Sequence, residues 1–151
     1  MAEQRVRVDF GIIGAAGYVA PRHLAAISAV GGRLRVAQDI ADSARSLDEY
    51  FPQAAFFTDV DRLERHLAKE VRAGRRLDFV SVCSPNHLHD AHIRFALRNG
   101  ADAICEKPVV INPWNLALLH DEEQRYGRRV WTILQLRLMP SLAALRERVE
   151  A

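Results

Sequence analysis

The residues with the clearest capacity for chemistry are Glu106-Lys107-Pro108, directly after the apolar run Ala101–Cys105. A lysine just beyond a buried strand has a use in hydride transfer. Oxidising an alcohol removes a hydride from carbon and a proton from oxygen. A cation beside that oxygen stabilises the charge that develops there. The positive ring of an oxidised nicotinamide nearby also favours the neutral amine, which can then share the hydroxyl proton. The competing assignment is a surface Lys107 paired with Glu106. The Lys107–Pro108 bond is of the X-Pro type that tolerates the cis form, which would aim the lysine inward.

A second constellation lies near the start of the chain. Gly14-Ala15-Ala16-Gly17-Tyr18-Val19-Ala20 follows the apolar run Arg7–Gly14. It reads G-x-x-G-x-x-A, one residue longer than the usual dinucleotide fingerprint. Small residues such as Ala16 let backbone approach a diphosphate, and the following helix aims free N–H groups and its positive dipole end at the phosphates. Glycines alone also make plain turns, so context carries the argument: a strand precedes this turn and a helix follows. Asp39 stands at the end of the next strand, about 20 residues on, where a carboxylate accepts bonds from a ribose 2′-hydroxyl and repels a 2′-phosphate. That favours NAD over NADP. The alternative for Asp39 is a helix N-cap.

A third cluster, Ser84-Pro85-Asn86-His87-Leu88-His89, closes the strand Asp78–Cys83. It falls at a strand carboxyl end, where open α/β sheets hold ligands. His89 and His92 share a helical face, but no carboxylate or cysteine completes a plausible metal set. Cys83 and Cys105 lie in apolar strands and read as buried, reduced thiols, neighbours on adjacent strands without a bond between them.

These residues need a frame, and the pattern supplies one. Strands are expected at Arg7–Gly14, Leu34–Ile40, Phe56–Phe57, Asp78–Cys83, Ala101–Cys105 and Val130–Leu136. Helices are expected at Ala20–Val30, Asp61–Ala73, Asn86–Asn99 and Asn112–Tyr126, with a short one capped by Asp42 or Ser43 and a last one capped by Ser141. Pro21 suits a first helical turn, and glycines stop the helices. Strand–helix alternation with buried apolar strands implies right-handed crossovers and a parallel sheet covered on both faces. The 151 residues favour one domain, 1–151.

Composition excludes several classes. Lys and Arg number 21 against 19 Asp and Glu, a net charge of +2, so no strong field is expected. The arginines bunch at expected helix carboxyl ends, where the dipole favours them, and no basic stripe with interleaved aromatics suggests nucleic acid. No signal peptide or membrane span is evident, and a cytoplasmic location is expected.

Together Gly14-Ala15-Ala16-Gly17, Ser84-Pro85-Asn86, His89, Glu106-Lys107-Pro108 and Arg137 resemble the Gfo/Idh/MocA oxidoreductases, in order along essentially the whole chain. The Glu-Lys-Pro element is the most specific piece. Within that family, GAAGYVAPRH, SVCSPNHLH, ICEKP and ILQLR look like the dehydrogenases that oxidise the 3-hydroxyl of UDP-N-acetylglucosaminuronate for surface polysaccharides. The resemblance implies a Rossmann doubly wound sheet that binds NAD. It makes Gly14, Ala16, Gly17, Tyr18 and Asp39 cofactor contacts. It places Ser84, Asn86 and His89 near the ribose and nicotinamide, with Glu106 supporting that side and Lys107 catalytic. Arg22, His23 and Arg137 would face a nucleotide-sugar substrate. Two departures stand out. Leu138 and Met139 follow the Gln-Leu-Arg segment where close relatives carry histidines, which loosens the assignment to that sugar and leaves another sugar or an inositol as an alternative. Family members also continue into a second α/β domain that supplies a histidine acid/base, most of the sugar pocket and the oligomer contacts. The resemblance therefore implies an amino-terminal half, inactive or nearly so alone, with apolar surface left open. A non-catalytic NAD-binding module is the remaining alternative, though such a module has no use for Lys107.

Overall fold

The computed structural model describes residues 7–42 and 45–150. Six parallel strands form one sheet in the order β3-β2-β1-β4-β5-β6. They are β1 (Asp9–Ile13), β2 (Arg33–Gln38), β3 (Ala55–Phe57), β4 (Phe79–Val82), β5 (Asp102–Cys105) and β6 (Val130–Thr132). The helices are α1 (Ala20–Ala29), α2 (Arg45–Tyr50), α3 (Val60–Arg72), α4 (His89–Arg98), α5 (Asn115–Tyr126) and α6 (Pro140–Glu150). Strand order reverses between β1 and β4. The loops after those two strands must therefore leave to opposite faces, opening a crevice at their carboxyl ends.

Two apolar cores cover the faces. On one side Ala20, Leu24 and Ile27 of α1 and Leu47 of α2 pack with Phe10, Ile12, Leu34 and Ala37. On the other, Leu63 and Leu67 of α3, Ile93 and Leu97 of α4 and Leu119 of α5 pack with Ile13, Val36, Val80, Val82 and Ala103. Alternation along a strand separates the two thiols. Cys105 pairs in register with Val82, so Cys83, one residue on, faces the opposite core. Both cysteines are buried and free.

The amino-terminal edge is pinned by charge. Arg33 grips Asp9 with two bonds of 2.7 Å, and Arg35 adds a third at 3.1 Å. Burial pushes the Asp9 carboxyl up, but the bonds and charges of Arg33 and Arg35 outweigh it and hold the group below the usual carboxylate range. Arg35 also reaches Glu70. The hydrogen bond from Arg75, more than the burial that opposes it, lowers Glu70 to about 2.

Several boundaries differ from the sequence reading. β6 stops at Thr132 rather than Leu136, because it is an edge strand with β5 alone to pair with, and β5 ends at Cys105. Residues Gln135–Leu138 turn into a short 3-10 segment instead. Asn112 delays α5 by accepting from the amide of Trp114 and, through its carbonyl, from Asn115. A 3-10 turn over Asn86–Leu88 precedes α4, since Pro85 holds an extended backbone (φ −56°, ψ 144°). Pro140, not Ser141, opens α6, consistent with proline's fitness for a first turn. Asp59 caps α3 by accepting from Arg62. Of the two candidate caps for α2, Ser43 lies outside the described residues. Among the described residues, no helix is long and apolar enough to cross a membrane.

Candidate cofactor and substrate site

The glycine turn after β1 is held from three sides. Gly14 and Ala15 donate their amides to the Gln38 carbonyl at 2.8 and 3.0 Å, and Gly17 donates to Gly14 at 3.1 Å. Gly14 has φ +85°, and a Cβ there would lie 2.5 Å from the Cys83 carbonyl carbon. Only glycine lets the turn lie this close to the end of β4. Asp39 completes the clasp: one carboxylate oxygen accepts from Ala16 N–H at 2.8 Å and the other from Ala41 N–H at 3.0 Å. Asp39 thus caps no helix. Its carboxylate, half-exposed at the end of β2, keeps lone pairs for a ribose diol. Among the described residues the amides of Tyr18 and Val19, just ahead of α1, have no backbone acceptor. Val19, at the helix cap, has no side-chain capping bond either. These free donors, the close backbone and the adjacent carboxylate fit the diphosphate and ribose of a dinucleotide.

Across the crevice, Ser84 is buried and fully engaged. Its hydroxyl lies 2.7 Å from Nδ1 of His92, and its carbonyl lies 2.8 Å from Nε2 of His89. Burial first, then the neighbouring His89, hold His92 below the ordinary histidine range. Its Nδ1 is therefore suited to accept the Ser84 proton. Asn86 is exposed on the 3-10 turn, beside the crevice. His89 differs from the expectation that it lines the cofactor. It has no solvent exposure, and both ring nitrogens are turned onto main-chain carbonyls, Ser84 and Pro108. Its side chain supports the crevice wall from behind.

The Glu106-Lys107-Pro108 loop leaves β5 on the same edge, and the Lys107–Pro108 bond is cis. Glu106 does not pair with Lys107. It meets Nε2 of His23 at 3.0 Å, with both side chains largely buried. No ion pair involves Lys107 among the described residues, and it stands exposed at the rim. Lys107, His23, Arg22, Tyr18 and Glu106 line one cavity of about 640 Å³, floored by apolar side chains of α1 and by Ile104 and Ile133. Tyr18 is exposed, with the Arg22 guanidinium 5.7 Å from its ring centre. Arg137 lies exposed on the 3-10 segment after β6; Gln135 of that segment reaches the cavity, whereas Arg137 is not among its lining residues. Leu142, Leu145 and Val149 of α6 are exposed as well. The sequence reading missed the His23–Glu106 pair, whose members are 83 positions apart.

A parallel doubly wound sheet, a glycine turn clasped by Asp39 and an exposed lysine at the carboxyl edge of β5 define a dinucleotide-binding domain of Rossmann type. The chain belongs to the Gfo/Idh/MocA oxidoreductase family, whose NAD-binding Rossmann-fold model matches residues 8–134. Among solved structures it is similar to the WlbA (WbpB) dehydrogenase of Thermus thermophilus. In that enzyme's complex with NAD and α-ketoglutarate, 48% of residues are identical, with 95% of this chain and 46% of that one covered and a TM-score of 0.92. In its complex with NAD and UDP-GlcNAcA the identity is 49%, covering 93% and 46%, with a TM-score of 0.91. A shorter stretch resembles the D-glucoside 3-dehydrogenase of Escherichia coli (strain K12), 35% identical over 72 residues, 48% of this chain and 20% of that protein. The chain therefore spans less than half the length of these relatives.

Proposed function

We propose that this chain supplies the cofactor site and the catalytic lysine of an NAD-dependent dehydrogenase that oxidises the 3-hydroxyl of a UDP-N-acetylhexosaminuronate. The product would feed surface polysaccharide synthesis in the cytoplasm. The observation that carries the reading is Lys107: a lysine with no ion-pair partner among the described residues, exposed at the carboxyl edge on the wall of a cavity that also takes in Tyr18 and Val19 of the glycine turn. NAD, when bound, accepts the hydride. The chain's residues do the rest. Tyr18 and Val19 amides meet the diphosphate, and Asp39 meets the adenosine ribose. Ser84 and Asn86 border the nicotinamide side. Lys107 would stand beside the substrate oxygen, its amine taking the hydroxyl proton as the carbonyl forms and the resulting ammonium steadying the charge that develops on that oxygen. Arg22 and Arg137 suit the phosphates of the nucleotide sugar. The 48% identity to the Thermus thermophilus enzyme supports the sugar class. The relatives' greater length implies that further structure completes the sugar pocket and the oligomer contacts, so the chain alone turns over slowly or not at all.

The test is a calorimetric titration followed by an NADH-formation assay. NAD should bind the chain at least about tenfold more tightly than NADP, a difference of about 1.4 kcal/mol. Any NADH formed should come from UDP-N-acetylglucosaminuronate rather than from glucose or inositol, and should vanish in Lys107→Met while NAD binding persists. An absence of NAD binding, or measurable NADH formation that Lys107→Met leaves undiminished, would overturn the proposal. Preference for glucose or inositol would reassign the substrate.

A further inference from the structure

His89 opens α4 with no solvent exposure, and each of its ring nitrogens meets a main-chain carbonyl. Nδ1 lies 2.6 Å from the Pro108 carbonyl oxygen and Nε2 lies 2.8 Å from the Ser84 carbonyl oxygen. A carbonyl oxygen only accepts. A neutral imidazole has one N–H and one bare lone pair. Either neutral tautomer would press that lone pair against a carbonyl oxygen at hydrogen-bond distance, with no solvent to intervene.

We propose that His89 is an imidazolium that donates both ring N–H groups, and so positions the Glu106-Lys107-Pro108 loop against the end of β4. Short separations are what charge-assisted donors give. The neighbourhood divides its protons consistently. The Ser84 carbonyl serves His89, while the Ser84 hydroxyl serves His92 at 2.7 Å, and the charge on His89 helps to keep His92 neutral. The nearby carboxylates are committed elsewhere. Asp90 is bonded to Arg94 at 3.0 Å and Glu106 to His23 at 3.0 Å. The charge is therefore met by two carbonyl dipoles rather than by a counter-ion. Ser84 ends β4 and Pro108 follows the lysine, so one side chain joins the two loops that flank the nicotinamide side.

The benefit to catalysis rests on the function proposed above. The protonation state does not, and it is read without cofactor, so the two ideas fail separately. The ¹⁵N-labelled chain at neutral pH should show both His89 ring nitrogens as protonated, with ring protons protected from exchange. One bare ring nitrogen on His89 would overturn the proposal. The wild-type spectrum decides this even if variants fail to fold. His89→Gln, which offers a single nitrogen, should also shift the Lys107 side-chain ¹³C resonances, whereas His87→Gln on the exposed turn should leave them in place. An unmoved Lys107 in folded His89→Gln would refute the positioning role.

Discussion

Replacing Gly14 by alanine tests the closeness of the glycine turn to β4. The backbone there has φ +85°, and the added Cβ would lie 2.5 Å and 2.6 Å from the Cys83 carbonyl carbon and oxygen and 2.6 Å from the Ser84 nitrogen. All three atoms are backbone, so no side chain can swing aside. Two costs add. The left-handed conformation costs an L-residue about 1–2 kcal/mol. Pushing packed backbone apart costs about 1–3 kcal/mol, as overfilling a core does. The sum, about 2–5 kcal/mol, is a large share of a domain stability of about 5–15 kcal/mol. Gly74→Ala is the control, because Gly74 has φ +76° with nothing within 4 Å of its Cβ position. It should lose the first cost alone. Urea unfolding of both variants should therefore differ by about 1–3 kcal/mol. NAD affinity should fall in Gly14→Ala, which displaces the strand end carrying Ser84, and hold in Gly74→Ala. Equal losses of stability in the two variants would refute the close-approach argument.

Three further outcomes are expected. Asp39→Ala removes the carboxylate from the Ala16 and Ala41 amides and from a ribose. Charge-assisted bonds contribute about 1.5–3 kcal/mol, so calorimetry should show NAD binding weakened by about 10- to 100-fold and the gap to NADP narrowed; an unchanged NAD-to-NADP ratio would count against the ribose assignment. Burial, then the charge of Glu106, pushes the Cys105 thiol up to about 12, and the same causes raise Cys83. Neither should react with a thiol reagent at neutral pH until the chain unfolds, and rapid labelling of the native protein would contradict the burial. Asp9 and His92 both sit below their ordinary ranges, so each binds fewer protons folded than unfolded. Their contribution to stability is present above the unfolded values and lost on acidification, first below the histidine range near ~6.5 and then below the aspartate range near ~3.9. Urea midpoints across pH should show the first loss disappear in His92→Gln; an unaltered profile would sink the assignment to His92.

What could be read from the sequence was governed by distance along the chain. β1 and β4 are continuous apolar runs bounded by turn residues, and that pattern placed them. The strand-end positions of the glycine turn, Asp39 and Lys107 were also legible, since strand ends define the ligand edge of such a sheet. The Asp59 cap was available too: Asp59-Val60-Asp61-Arg62 puts an acceptor three residues before the amide it receives. Other features depended on contacts that no local pattern carries. The family resemblance implied that His89 faces the cofactor; the structure instead places it in the interior, and one of its two carbonyl neighbours, Pro108, is 19 positions away. Glu106 looked like the partner of Lys107 because they are adjacent, while its actual partner lies on α1. The early end of β6 follows from the length of its neighbour, which a strand's own sequence does not encode.

The ligand edge has a common logic. Side chains there tie one loop to another, adding to the backbone bonds. Asp39 joins the end of β2 to the glycine turn, His89 joins the end of β4 to the Lys107 loop, and His23 joins α1 to that loop through Glu106. Asp39 keeps lone pairs free for a ribose, whereas His89, His23 and Glu106 spend their side-chain polar atoms on the protein, in buried places where an unmatched polar atom would be costly. Tyr18, Arg22 and Lys107, which also border the cavity, are exposed and make no hydrogen bond through their side chains among the described residues. The ties in such an edge are made by protein groups alone. The binding free energy of cofactor and substrate then need not be spent on ordering the loops, which is the condition under which a positioned cation lowers a barrier most effectively.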